Sequence, residues 1–143
     1  MKQEHWLEEY ALECFRQVGL RLPLAALGSS LEYDEQNPKP GSRADSFELD
    51  VAAMYGYQLF GVSCFVSQQE KEKKSHLFEV VVRVRQLGGD EARAALVCCA
   101  DDPRHLEEDI ARKWDARDKF RVFGQDHLPN LKQELENWIT YAR

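Results

Sequence analysis

Apolar and polar positions repeat with two different periods along the chain, and the period predicts the type of each element. Four segments place apolar residues on one side every three to four positions, which predicts helices at residues 5–18, 76–87, 105–116 and 128–141. Four others alternate or are continuously apolar, which predicts strands at residues 47–54, 59–66, 92–100 and 119–123. Helices that alternate with strands in this way are typical of an α/β fold with a mixed central sheet.

Three segments have no such pattern. Residues 20–27 are a short apolar piece that leads into Gly28 and two serines, and no element is predicted there. Residues 34–45 contain two prolines and a glycine among polar side chains, which predicts a loop. The polar run at residues 67–75 is expected to be an exposed loop that feeds the next helix.

Composition narrows the class of protein. The chain has 143 residues, which predicts a single domain over residues 1–143. A net charge of -6 argues against a protein that coats nucleic acid without specificity. No run approaches the roughly 20 apolar residues of a membrane span. Four cysteines without metal-ligand spacing predict buried, reduced thiols, and we expect a cytoplasmic protein.

The first candidate for chemistry is the pair Glu48 and Asp50. Residues two apart on a strand face the same side, so their carboxylates would repel each other if they were buried without a partner. A hard cation, Mg²⁺ or Mn²⁺, would relieve that repulsion by binding their oxygens. The alternative is an edge strand whose acidic side faces water.

Further polar residues surround this strand in the predicted fold. If the second strand pairs with the first as a hairpin, Ser63 lies near the two carboxylates. Lys71, Lys73 and Lys74 could position a water or stabilise charge on a phosphate, or they are simply solvated. Glu8 or Glu9 in the first helix could add a carboxylate. The four histidines are scattered, without the spacing of a metal site.

Two stretches of the sequence resemble a known family. Residues 47–51, Phe-Glu-Leu-Asp-Val, are similar to the acidic strand of the PD-(D/E)XK nuclease superfamily. Residues 77–97 resemble the helix-turn-strand of the nuclease domain in CRISPR-associated effectors that cyclic oligoadenylate switches on. The most specific part is Arg85-Gln86-Leu87-Gly88-Gly89-Asp90. The resemblance implies a restriction-endonuclease-like core with a mixed sheet flanked by helices.

The resemblance also implies roles for individual residues. It makes Asp50 the central metal ligand, with Glu48 beside it and Glu9 or Glu8 as the acid from the first helix. It implies a metal-dependent nuclease that hydrolyses phosphodiester bonds in DNA or RNA with Mg²⁺ or Mn²⁺, in CRISPR or antiphage defence. Lys74 is the first choice for the catalytic lysine, Lys71 and Lys73 for substrate binding. Gln86 would hold a water or a phosphate oxygen.

One departure from the superfamily pattern opens an alternative. The second strand usually carries Glu-x-Lys, and Ser63-Cys64-Phe65 stands at that place. Ser63 therefore takes the place of a catalytic acid, and the lysine has either moved to the following helix or been lost. If it has been lost, the chain is a degenerate nuclease fold that binds nucleic acid or a homologous protein.

The related effectors also carry an N-terminal domain that senses the cyclic nucleotide and dimerises. The sequence begins where the nuclease domain would begin, so we expect no sensor domain in these residues. The resemblance makes a homodimer a further expectation.

Overall fold

A computed structural model describes residues 5–22, 24–34, 46–66, 69–114 and 119–142, with residues 24–34 and 46–48 described by their backbone. The helices and strands follow one another as α1 (His5–Gly19), β1 (Leu24–Asp34), β2 (Ser46–Tyr55), β3 (Gln58–Phe65), α2 (Glu70–Gly88), β4 (Arg93–Cys98), α3 (Pro103–Trp114), β5 (Phe120–Phe123) and α4 (Leu131–Tyr141). Two short 3₁₀ helices, Gly89–Glu91 and Gln125–Asn130, precede β4 and α4.

The five strands form one mixed sheet in the order β1-β2-β3-β4-β5. β1, β2 and β3 are antiparallel neighbours, whereas β3, β4 and β5 run parallel. The β2–β3 hairpin turns at Gly56, whose φ of 62° lies in the region that glycine adopts most easily. The carboxyl ends of the three parallel strands therefore lie at one edge of the sheet.

Each face of the sheet is covered by a pair of helices. On one face, α1 and α4 pack on apolar side chains of the central strands, and the Trp138 and Phe60 rings meet edge to face with centroids 5.0 Å apart. On the other face, α2 and α3 cover a second apolar cluster that includes Leu49 and Leu96. Two covered faces explain why β3 and β4 are mostly apolar.

The prediction of an α/β fold with a mixed sheet flanked by helices is confirmed. All eight predicted elements are present, with ends that shift by a few residues, except for the start of α2. β1 was not predicted, because glycine and two serines interrupt its apolar pattern and its strand is formed by pairing with β2. Of the predicted loop at residues 34–45, residue 34 ends β1 and the remainder lies outside the described residues.

The prediction of an exposed loop at residues 67–75 is wrong for residues 70–75, which form the start of α2. α2 begins at Glu70, and Lys73 is only 7% exposed. Glutamate and lysine are strong helix formers, so the polar run continues the helix toward its amino end without needing apolar residues of its own. Lys71, Lys73 and Lys74 therefore stand on the first turns of a helix.

Within the described residues, no helix is both long and apolar enough to cross a membrane. The predicted reduced thiols are confirmed: all four cysteines are free, with Cys14, Cys64 and Cys98 buried and Cys99 partly exposed.

The cysteines predict a pattern of chemical labelling. Burial raises the pKa of the Cys14 and Cys98 thiols, so less of the reactive thiolate is present at a given pH. We expect iodoacetamide at pH 8 to modify Cys99 in the folded protein and the other three only after unfolding in urea, as read by mass spectrometry. Rapid modification of three or four thiols in the folded protein would contradict this packing.

Because α2 packs closely on the sheet, adding one methyl group at Gly61 is expected to destabilise the fold. A Cβ atom at Gly61 would lie 2.4 Å from Cγ2 of Val84, so Gly61→Ala forces β3 and α2 apart. We expect Gly61→Ala to lower the free energy of unfolding by about 1–3 kcal/mol. In a Val84→Ala background the same change should cost less, and urea denaturation of the four proteins measures that difference. Equal costs in both backgrounds would show that this contact does not limit the packing.

Candidate active site

Asp50 lies where the β2–β3 ladder ends. The last residue pair of that ladder is Val51 with Val62, and Asp50 is the next residue outward on β2. Its carboxylate is only 7% exposed, and Oδ2 accepts the backbone N–H of Cys64 at 2.6 Å. A buried carboxylate needs such donors because it has lost its water. The interpretation that this acidic strand merely faces water is therefore wrong for Asp50.

Ser63 and His76 complete a polar cluster with Asp50. The Ser63 hydroxyl is 1% exposed and lies 3.5 Å from Oδ2 of Asp50 and 2.6 Å from Nε2 of His76. The His76 ring stacks on Phe65 with centroids 4.5 Å apart and planes 14° apart. Three elements, β2, β3 and the start of α2, thus bring these side chains together at the carboxyl end of β3. The prediction that Ser63 lies beside Asp50 is confirmed.

The lysines of α2 point in different directions. Lys74 forms an ion pair with Asp109 of α3, which places its Nζ on the β5 side of the helix, whereas Asp50 lies in β2 on the other side of β3. Burial raises the pKa of the Cys98 thiol, and the positive charge of Lys73 acts in the opposite direction. Lys73 therefore lies near Cys98, at the end of β4. Lys71 is exposed on the same helix start. All three lysines are therefore at the carboxyl edge of the sheet, with Lys73 buried.

The predicted residues Glu8, Glu9 and Glu48 lie in elements that adjoin this cluster. Leu7 of α1 has its carbonyl 4.0 Å from the Cys64 sulfur, so the first turn of α1, with half-buried Glu8 and exposed Glu9, lies at the same end of β3. Glu48 lies in β2, two residues before Asp50, and its side chain is outside the described part of the structure.

Gln86 is not brought to this cluster. It accepts a hydrogen bond from Arg83 in the last turns of α2, ten residues and about 15 Å along the helix from His76. The helix ends at Gly88, which packs against Leu59 at the opposite end of β3. Gln86 therefore lies near the other edge of the sheet.

The donor atoms of the cluster fit a divalent cation in kind. A carboxylate and a hydroxyl are the hard oxygen donors that Mg²⁺ and Mn²⁺ prefer, and Mn²⁺ also accepts imidazole. Among the residues that the structure describes, no three His, Cys, Asp or Glu side chains form a metal-binding group. A full ligand set therefore needs Glu48 or another donor in addition to Asp50.

Sequence reasoning missed His76. The four histidines have no regular spacing, and spacing along the chain cannot show that His76 faces Ser63 and Phe65 across the helix–sheet contact. One feature could have indicated its role. If the helix is begun at Glu70, His76 stands within two turns of the helix start and next to the buried residue Leu77.

Two solved structures are similar to this chain in fold. Protein VC1899 from Vibrio cholerae is similar to the chain, with 25% identity, a TM-score of 0.72 and coverage of 96% of this chain and 34% of that one. Can2 from Sulfobacillus thermosulfidooxidans, solved in complex with cyclic tetra-adenylate, is similar in fold, with 16% identity, a TM-score of 0.69 and coverage of 94% and 33%. The chain thus spans about a third of the length of these structural relatives. No curated protein gives a significant sequence match.

The family match covers nearly the whole chain. Residues 1–142 match the family described as Card1-like, endonuclease domain. That match confirms the predicted resemblance to a nuclease domain and the expectation of an enzyme of the endonuclease class. The chain belongs to the Card1-like endonuclease domain family.

Proposed function

We propose that this domain hydrolyses phosphodiester bonds in nucleic acid, DNA or RNA, at the cluster around Asp50. The observation that carries the proposal is a buried carboxylate held by a backbone N–H at the carboxyl edge of the parallel strands, in a chain of an endonuclease family. We place this activity in CRISPR or antiphage defence and in the cytoplasm. Dimerisation, as the resemblance implies, is part of the proposal.

A divalent cation is the proposed cofactor. Asp50 would hold it, with Glu48 and with Glu9 from α1 as further ligands. Mg²⁺ or Mn²⁺ polarises a phosphate and lowers the pKa of a bound water when it is present. The protein's own part is to hold Asp50 in place through Cys64 and Ser63 and to keep bulk water away from the buried side of the carboxylate.

Positive charge at the start of α2 supports binding of a phosphate backbone. Lys71 is exposed there, Lys73 is buried near the end of β4, and Lys74 is oriented by Asp109. We propose that Lys71 and Lys73 contact the substrate and that Lys74 leaves its ion pair with Asp109 to act on the reacting phosphate. Gln86 would contact only a part of the substrate that extends toward the other edge of the sheet.

Cleavage tests the proposal directly. We expect the protein to cut labelled DNA or RNA, single- or double-stranded, in Mn²⁺, and Asp50→Ala to lower the rate at least 100-fold because the central carboxylate is lost. Glu91→Ala, which removes an exposed carboxylate before β4 at the opposite edge of the sheet, is the matched control and should cut like the wild type. No cleavage of any substrate, or equal cleavage by Asp50→Ala, would refute the proposal.

Lys74 can be tested separately from its ion pair. A role on the phosphate predicts that Lys74→Ala lowers kcat about 100-fold, whereas Asp109→Asn, which breaks the same ion pair but keeps the lysine, changes kcat less than threefold. Steady-state kinetics on one oligonucleotide measures both. If the two variants lose activity equally, Lys74 only ties α2 to α3.

A degenerate nuclease fold is the second candidate function, because Ser63 and Phe65 occupy the places of an acid and a lysine. Such a module would bind nucleic acid or a homologous protein without cutting. It predicts that calorimetry detects no Mn²⁺ binding that depends on Asp50. Saturable binding that Asp50→Ala abolishes would rule it out.

A further inference from the structure

We propose that His76 is a positioning residue, which acts through Ser63 to orient Asp50; this role rests on the proposed function. His76 would not replace the acid or the lysine of the superfamily motif; it would hold the remaining carboxylate, Asp50, in place. The chain thereby keeps an organised site with a different set of side chains.

Both departures from the motif contact the same histidine. Ser63, at the place of the acid, lies 2.6 Å from Nε2 of His76. Phe65, at the place of the lysine, stacks on the His76 ring at 4.5 Å. Ser63 and Phe65 lie two apart on β3 and face the same side, so one residue of the following helix contacts both positions.

The proton count gives the direction of the hydrogen bonds. We assign the Ser63 proton to Oδ2 of Asp50, 3.5 Å away, because an ionised carboxylate can only accept. With that assignment His76 donates to Ser63 across the 2.6 Å contact, which places its proton on Nε2. The chain of donors runs from His76 to Ser63 to Asp50.

This series of hydrogen bonds orients the Asp50 carboxylate. Cys64 and Ser63 both donate to the same oxygen, Oδ2, from neighbouring positions of β3. When His76 donates to the Ser63 oxygen, the Ser63 proton is left to donate to Asp50, and the stack on Phe65 holds the plane of the His76 ring. Outer residues that orient a ligand typically change metal affinity or activity about 10- to 100-fold.

Variants separate hydrogen bonding from packing. His76→Gln keeps an N–H donor at a similar reach, whereas His76→Phe keeps a ring that stacks on Phe65 but cannot donate. We expect kcat in Mn²⁺ to fall about 10- to 100-fold in His76→Phe with little change in KM, and less than about threefold in His76→Gln. His105→Ala, which removes an exposed histidine of α3, is the control and should be unchanged. If His76→Phe performs as well as or better than His76→Gln, the positioning role is overturned.

A second readout does not need cleavage. Calorimetric Mn²⁺ affinity of the same proteins should follow the same order, with His76→Phe weakened and His76→Gln close to the wild type. Nitrogen-15 NMR of the metal-free protein should show the proton on Nε2 of His76, and a proton on Nδ1 alone would overturn the proposal.

The two failures can be told apart. If the Mn²⁺ affinities of the wild type and the two His76 variants follow the predicted order but the wild type cuts nothing, the proposed function fails and the role of His76 stands. If the wild type cuts and His76→Phe cuts equally well, the proposed function stands and the role of His76 fails. If the wild type neither binds Mn²⁺ nor cuts, both are overturned.

Discussion

The candidate site depends on one hydrogen bond, from the Cys64 N–H to the Asp50 carboxylate. It forms where β2 and β3 stop pairing, so a backbone donor that the ladder no longer uses meets a side chain that needs one. A buried, ionised carboxylate without donors would cost several kcal/mol. The end of pairing between the two strands therefore makes room for a charged group inside a mostly apolar sheet.

The rest of the cluster follows from the way α2 covers that sheet. The helix starts directly above the carboxyl edge and runs back along β3 and β4, so its first turns bring lysines and His76 to the edge. Close contact at Gly61 fixes the helix at the level of Val84. The apolar body of α2 packs on the sheet, whereas its polar first turns contribute side chains to the candidate site.

Much of the fold was predictable because each element has a local cause. Periodic apolar positions were enough for eight elements, and Asp50 and Ser63 were identified from alternation and the hairpin. The first turns of α2 were missed because a polar run has no apolar period, although glutamate and lysine favour helix. β1 was missed because its pairing with β2 outweighs a weak local signal.

The sequence by itself determined the fold class, the burial of three of the four cysteines and the family, since these depend on local periodicity and on motifs that are continuous in the chain. Only the tertiary structure decided which polar residues meet. His76 joins Ser63 and Phe65, Lys74 turns to Asp109, and Gln86 lies at the far end of its helix. The physical reason is that a helix rotates 100° per residue, so neighbours in sequence point at different elements, and the packing of α2 on the sheet sets which of them face Asp50.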